Sequence, residues 1–277
     1  MNYAEITGWG KYAPPLLMTN DDLAKIVETS DEWIFSRSGI RQRHYTHVST
    51  GEMGWLAAER ALAAAGVDAE DIDLVILGST TPEEICPNTA SYIKNKLGAK
   101  KAAAFDLNSA CTSWLYGLNV ATDMIKAGSI KKAIVIGSER ISLVMDWKKR
   151  ESCFLFGDGA GAVVVQSSSA DVGLLSSKLS CVPDSRDYLR IPCWGIRPEV
   201  HTGGLHPSLD FDGAAIFKRA IVAMAKDCQQ ALGAAGMSLE DIDLFVPHQA
   251  NIRIIEGLAR RLNFPVEKTV ICIDKYA

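Results

Sequence analysis

Apolar residues along this chain fall into two alternating kinds of segment. Short unbroken runs, at Leu74–Leu77, Ala102–Leu107, Ala133–Gly137 and Ala162–Gln166, read as buried strands. Between them lie longer stretches whose apolar positions recur every three or four residues. The clearest runs from Ser113 to Ala127, with a stripe of Trp114, Leu115, Leu118, Ala121, Met124 and Ile125. Alanine-rich helices are expected at Met53–Ala65 and Ile216–Ala235, and further helices at Asn88–Leu97 and Asn251–Leu262. Leu244–Val246, Thr269–Ile273 and Val172–Leu179 are further strand candidates. Strands joined by helices imply an α/β fold with substantial parallel pairing and buried sheet faces.

The pattern repeats. Residues 66–75 read Gly-Val-Asp-Ala-Glu-Asp-Ile-Asp-Leu-Val, and residues 236–245 read Gly-Met-Ser-Leu-Glu-Asp-Ile-Asp-Leu-Phe. Each copy follows an alanine-rich helix, enters an apolar strand, and continues into a helix and another strand. Two related halves follow, 1–170 and 171–277, with the junction near Ser167-Ser168-Ser169-Ala170-Asp171. At an offset of 170, Ala277 corresponds to position 107, so residues 108–166 have no counterpart and the chain is expected to be C-terminally incomplete. Residues 181–212, rich in Pro, Gly and aromatic residues, read as a long irregular excursion.

Composition narrows the class. A net charge of −4 argues against nucleic-acid binding. Seven cysteines without a CxxC pair fit a reduced, cytoplasmic setting. The start, Met1-Asn2-Tyr3-Ala4-Glu5, carries no secretory pattern, and no apolar run reaches membrane-spanning length. Five scattered histidines form no metal-ligand motif, so no metal site is expected.

Cys111 stands between an expected strand and an expected helix, where unpaired N–H groups and the helix dipole favour a thiolate. The alternative is an inert buried cysteine. His248, in Val246-Pro247-His248-Gln249-Ala250-Asn251, also follows a strand end, where α/β sheets gather ligands. A Cys–His pair would suit nucleophilic catalysis, and an ordinary loop histidine is the competing reading. Gly157-Asp158-Gly159-Ala160-Gly161 precedes a strand rather than a helix, so tight turns and close backbone packing are expected there rather than phosphate binding. Basic groups at Arg37, Arg41 and Arg43, at Lys148, Lys149 and Arg150, and at Lys218, Arg219, Arg253, Arg260 and Arg261 read as solvated surface or as a site for phosphates or an acidic partner.

Several segments taken together resemble the β-ketoacyl-acyl-carrier-protein synthase III family. They are Thr29-Ser30-Asp31-Glu32-Trp33-Ile34 with Arg37-Ser38-Gly39-Ile40-Arg41-Gln42-Arg43, Asp106-Leu107-Asn108-Ser109-Ala110-Cys111, Leu155 to Ala162, and Pro247-His248-Gln249-Ala250-Asn251 with Arg253. The resemblance spans essentially the whole chain. It implies a thiolase-like fold, a five-layered αβαβα sandwich of two related halves, and a homodimer. It implies decarboxylative condensation of an acyl-CoA primer with malonyl-acyl carrier protein, initiating fatty acid synthesis, with no permanently bound cofactor.

In that scheme Cys111 carries the acyl group and His248 stabilises the enolate oxyanion. Trp33 and Arg150 would stack on the CoA adenine. Thr29 and Arg37 would bind the nucleotide and phosphate end, Asn251 the pantetheine arm, and Phe217 would line the tunnel. Lys218 and Arg253 would meet the carrier protein. Cys86, where the family often has a bulkier residue, is expected to admit longer primers.

One departure stands out. The family's third catalytic residue, an asparagine, follows a segment like Asp274-Lys275-Tyr276, and this chain has Ala277 there. With two of three catalytic side chains, the expectation is acylation at Cys111 with condensation slowed on the order of 100-fold to 1000-fold. Competing functions are a secondary-metabolite condensing enzyme or acyltransferase, a cysteine hydrolase, and, if Ala277 is the true end, a non-catalytic carrier-protein-binding or dimerisation module.

Overall fold

The computed structural model describes residues 2–181, 188–191 and 209–277. In chain order the elements are β1 (Tyr3–Tyr12), β2 (Leu16–Thr19), α1 (Asn20–Leu23), α2 (Asp31–Ser38), β3 (Gln42–Tyr45), α3 (Thr50–Ala65), β4 (Leu74–Gly78), α4 (Thr89–Leu97), β5 (Ala103–Leu107), α5 (Ser113–Lys126), β6 (Lys132–Arg140), β7 (Asp158–Ser168), β8 (Leu189–Arg190), β9 (Asp210–Phe211), α6 (Gly213–Ala234), α7 (Ile252–Leu262) and α8 (Ile273–Tyr276). They group into two compact units that interleave along the sequence. One contains Met1–Leu16, His44–Ile141 and Asp158–Ser177; the other contains Leu17–Arg43, Ser142–Gly157 and Lys178–Ala277.

The first unit is built on a five-stranded sheet in the order β1-β7-β6-β4-β5. β4 runs parallel to β5 and β6, while β7 pairs antiparallel with β6 and β1. Strand periodicity explains its two apolar faces. Val75, Leu77, Ile134 and Ile136 pack with Ala57, Ala61 and Ile93 of α3 and α4. Leu74, Ile76, Ala133 and Val135 pack instead with Leu118, Ala121 and Ile125 of α5. Each such Leu or Ile contributes on the order of 1.5–3 kcal/mol.

The alanines of α3 have a specific partner. A Cβ at Gly10 of β1 would lie 2.2 Å from the Ala57 carbonyl oxygen. Only glycine on the strand and small residues on the helix permit that approach.

Four expectations change here. β5 is a sheet edge and only partly buried, because β4 covers one side of it. Leu115, expected on the buried stripe of α5, is exposed. Gly159 and Gly161 lie inside strand β7 rather than in turns, and a Cβ at either would come no closer than 3.6 Å to other atoms. Residues 172–179 form no strand; they contribute one bridge, Gly173 to Ala4.

The second unit packs α6 against α7 around Ala225, Leu258, Leu262 and Phe264. The stripe of α7 is Ile254, Ile255, Leu258, Ala259 and Leu262, all buried. β8 and β9 pair as a short antiparallel ribbon. Residues 182–187 and 192–208 of the irregular excursion lie outside the described residues. Leu244–Val246 and Thr269–Ile273, expected as strands, are joined only by a parallel bridge between Phe245 and Thr269. Single-sided pairing explains this: β4, the corresponding strand of the first unit, has a neighbour on both sides.

The repeat is visible in local geometry. Gly66 and Gly236 both adopt left-handed backbone, with φ of 63° and 67°. Three-residue 3₁₀ turns follow at Ala69–Asp71 and Leu239–Asp241, again 170 residues apart. The offset then shortens: Gly98 ends α4 and Asn263 ends α7, both left-handed, 165 residues apart. The loop between strand and helix is shorter in the second copy, so Ala277 corresponds to Thr112 rather than to position 107.

Candidate functional site

Cys111 is held by a knot of local bonds. Ser113 Oγ donates to the Ala110 carbonyl at 2.6 Å and accepts from the Ser109 N–H at 2.9 Å. Asn108 Oδ1 accepts from the Ala110 N–H at 3.1 Å. Ala110 itself has φ of 53°, a left-handed conformation that a non-glycine residue adopts only where its surroundings enforce it. This turn sets Cys111 two residues before α5. Gly78, at the end of β4, lets the helix start so close: a Cβ there would lie 2.8 Å from the Ser113 backbone.

The electrostatics differ from the expected thiolate. Although Cys111 is an exposed residue, protein packed around its thiol pushes the pKa up, and the Glu139 carboxylate pushes it further. A backbone hydrogen bond acts the other way. Desolvation and the Glu139 charge together outweigh that hydrogen bond. Glu139 is fixed by Ser79 Oγ, the Thr80 N–H and Thr81 Oγ1, which all donate to it.

The second unit holds His248. Although His248 is an exposed residue, protein packed around its imidazole lowers the pKa, which favours the neutral form, able to donate one N–H. Gln249 anchors the segment beside it: its Nε2 donates to the Pro247 and Val270 carbonyls, and its Oε1 accepts from the Cys272 N–H.

The same unit assembles an aromatic and basic platform. The Arg37 and Arg150 guanidiniums stand 4.5 and 4.4 Å from the centroid of the Trp33 ring. Phe154 meets that ring edge-on at 5.4 Å. The Arg150 Nε and the Thr29 Oγ1 are buried without a hydrogen-bond partner in the protein. Unsatisfied buried polar atoms are costly, and both could be satisfied by a ligand or by water.

Helix α7 closes against α2. Asn251 caps α7 by accepting from the Arg253 N–H, and donates to the Arg37 carbonyl at 3.1 Å. Arg253 donates to the Ser36 carbonyl at 2.7 Å. A Cβ on Gly39 would strike Ile252 at 2.8 Å.

Trp33, Arg37, Arg150, Asn251 and Arg253 thus share one constellation. Lys218 lies exposed on α6, and Phe217 beside it is half-buried. Cys86 is exposed. Cys111 and His248 belong to different units. Among the described residues, no group of three His, Cys, Asp or Glu could hold a metal ion, and no helix is long and apolar enough to cross a membrane.

Sequence reasoning assigned no role to the supporting residues Asn20, Phe154, Glu139 and Gln249, and read Arg43 as solvated surface or as part of a site for phosphates or an acidic partner. Arg43 is fully buried. The two-residue period of the strand Gln42-Arg43-His44-Tyr45, with Arg43 and Tyr45 inward, was the available signal.

The chain matches the model of 3-oxoacyl-[acyl-carrier-protein (ACP)] synthase III at residues 105–183 and the model of that family's C-terminal region at 232–277. It is 46% identical to β-ketoacyl-[acyl-carrier-protein] synthase III 2 of Vibrio cholerae, covering 99% of this chain and 76% of that protein. The crystal structure of 3-oxoacyl-[acyl-carrier-protein] synthase III from Aquifex aeolicus superposes with a TM-score of 0.92 at 38% identity, covering 99% of this chain and 85% of the other. The priming β-ketosynthase of the R1128 polyketide biosynthetic pathway superposes with a TM-score of 0.90 at 33% identity, covering 99% and 82%.

Proposed function

This chain belongs to the β-ketoacyl-acyl-carrier-protein synthase III family of thiolase-like condensing enzymes, and from that premise we propose that it joins an acyl-CoA primer to malonyl-acyl carrier protein, the step that initiates fatty acid synthesis. Cys111 Sγ attacks the acyl-CoA carbonyl carbon, the carbon–sulfur bond to CoA breaks, and CoA leaves as its thiol. Malonyl-acyl carrier protein then loses carbon dioxide, and the electron pair of the broken carbon–carbon bond becomes an enolate. His248 donates its N–H to the enolate oxygen. The enolate carbon attacks the Cys111 thioester, the bond to Sγ breaks, and the β-ketoacyl carrier protein is released. A covalent intermediate divides one difficult condensation into two easier steps, and fixed donors stabilise the oxyanions.

The observation that carries this reading is the strained Ala110 turn, which presents Cys111 ahead of α5. The Trp33 platform supports CoA as the acyl donor: its ring can stack on adenine, Arg37 and Arg150 can meet phosphates, and Thr29 Oγ1 awaits a partner. Asn251 is assigned to the pantetheine arm, Phe217 to the acyl tunnel, and Lys218 and Arg253 to the acidic carrier protein. We assign the two halves, 1–170 and 171–277, to the duplicated thiolase-like domain, and we place the protein in the cytoplasm as a homodimer. A second reading, priming of a polyketide-type pathway, is favoured by the likeness to the R1128 ketosynthase.

Intact mass tests the proposal. A single acyl increment is expected on mixing with a panel of acyl-CoAs, and none in Cys111→Ala. The preferred increment identifies the primer and separates the two readings. A folded wild-type protein that takes no increment from any acyl-CoA refutes the proposal.

A further inference from the structure

We infer that Asn20 is a positioning residue for the nucleotide end of the acyl donor, an inference that rests on the assignment of the Trp33 platform to CoA. Asn20 is 1% exposed, and each polar atom of its side chain is engaged. Its Nδ2 donates to Asp31 Oδ1 and to the Ile40 carbonyl, both at 2.8 Å. Asp31 is the first residue of α2, and Ile40 follows the glycine that ends it. One amide group therefore grips both ends of the eight-residue helix that carries Trp33 and Arg37.

The acceptor side of the same amide reaches the other half of the platform. Asn20 Oδ1 accepts from Arg43 Nη2 at 2.8 Å. The same Nη2 donates to the Phe154 carbonyl at 3.1 Å, and Arg43 Nη1 donates to the Met18 carbonyl at 3.1 Å. Phe154 abuts the Trp33 ring and lies four residues after Arg150. The bonds thus run without a gap from both ends of α2, through Asn20 and Arg43, to the segment bearing Arg150. They fix the spacing of the two guanidiniums about the indole.

These bonds engage the whole Asn20 amide within the protein, so its effect on a ligand is indirect. Buried networks of this kind set the geometry of the groups they support. Losing a fraction of an ångström in a binding platform weakens what the platform holds and leaves distant chemistry alone.

The test uses the full chain with Asn20→Ala and Asn20→Asp. The aspartate keeps the acceptor for Arg43 and removes both donors to α2. Acylation of Cys111 is followed by mass with an acyl-CoA and with the matching acyl-pantetheine, which lacks the nucleotide; binding of adenosine 3′,5′-bisphosphate is measured alongside. In both variants the preference for acyl-CoA over acyl-pantetheine is expected to fall about tenfold, with the acyl-pantetheine rate preserved and the bisphosphate bound correspondingly more weakly. A preserved preference overturns the inference. So does an equal loss on both substrates, which marks a merely structural role. Wild-type protein that ignores the bisphosphate and shows no preference for acyl-CoA refutes the platform assignment itself, a distinct result.

Discussion

Gly78→Ala tests whether the start of α5 is set by the close approach of β4. The added Cβ would lie 2.8 Å from three atoms: the Ser113 carbonyl carbon, the Ser113 Cβ and the Trp114 nitrogen. Two of these are main chain and cannot rotate away. Restoring ordinary contact requires the helix start to move by about 0.6 Å inside a close-packed core. Overpacking of this kind costs about 1–3 kcal/mol. Alanine also restricts the unfolded chain, which offsets about 0.4–1 kcal/mol wherever the native backbone tolerates it. Gly159→Ala is the matched control: also in a strand, its Cβ would meet only the Tyr12 carbonyl oxygen at 3.6 Å. Urea denaturation should place Gly78→Ala about 1–3 kcal/mol below Gly159→Ala, with unchanged m-values. The displaced helix start should also change the alkylation rate of Cys111, located by peptide mass. If the two variants agree within about 0.5 kcal/mol, the range of an innocuous substitution, Gly78 does not position α5.

Two other predictions rest on the site's chemistry. Glu139→Gln should lower the Cys111 pKa, because the carboxylate opposes the thiolate, so iodoacetamide should label Cys111 faster at neutral pH; an unchanged alkylation profile would remove Glu139 as a contributor. Trp33→Ala should weaken binding of adenosine 3′,5′-bisphosphate by roughly 1–3 kcal/mol, a stacking loss of about 5-fold to 150-fold by calorimetry, and undiminished affinity would place the nucleotide elsewhere.

Helices α3, α4 and α5 and strands β4, β5, β6 and β7 of the first unit were legible because period and punctuation agree, whereas the edge strand β1 was not read. α4 ends at Gly98 and α7 at Asn263, both left-handed, where the sequence shows a glycine and an asparagine after the last apolar turn. Residues 244–246 and 269–273 were less legible, since apolar character marks a segment for burial without saying whether a ladder partner stands on each side. The residues proposed to carry the chemistry, Cys111, His248 and Trp33, announced themselves by motif. Their supports did not. Asn20 reads as an ordinary residue after Thr19, and its role depends on bonds to residues 11, 20 and 23 positions away. Such contacts are set by tertiary packing, which local pattern does not encode.

The direction of the two perturbed groups bears on the reaction class. A cysteine hydrolase depends on a thiolate stabilised beside an imidazolium, so its thiol is held low and its histidine charged. Here protein packed around the two exposed residues raises the Cys111 pKa and lowers that of His248, so both groups favour their neutral forms near pH 7. A neutral imidazole is a poor electrostatic partner for a thiolate but a sound hydrogen-bond donor to a developing enolate oxygen, because it offers an N–H without having to give up a proton. A neutral thiol is also a poorer target for adventitious oxidation and alkylation than a thiolate. The sign for stability follows. His248 is neutral in the folded and unfolded chain above the ordinary histidine pKa of about 6.5, and below it the unfolded chain binds the proton more readily. Stability should therefore decline as pH falls below that value toward the depressed folded pKa. His248→Gln, which keeps an N–H donor and cannot titrate, should flatten that decline, and an identical acid limb in wild type and variant would show that the surroundings of His248 do not lower its pKa.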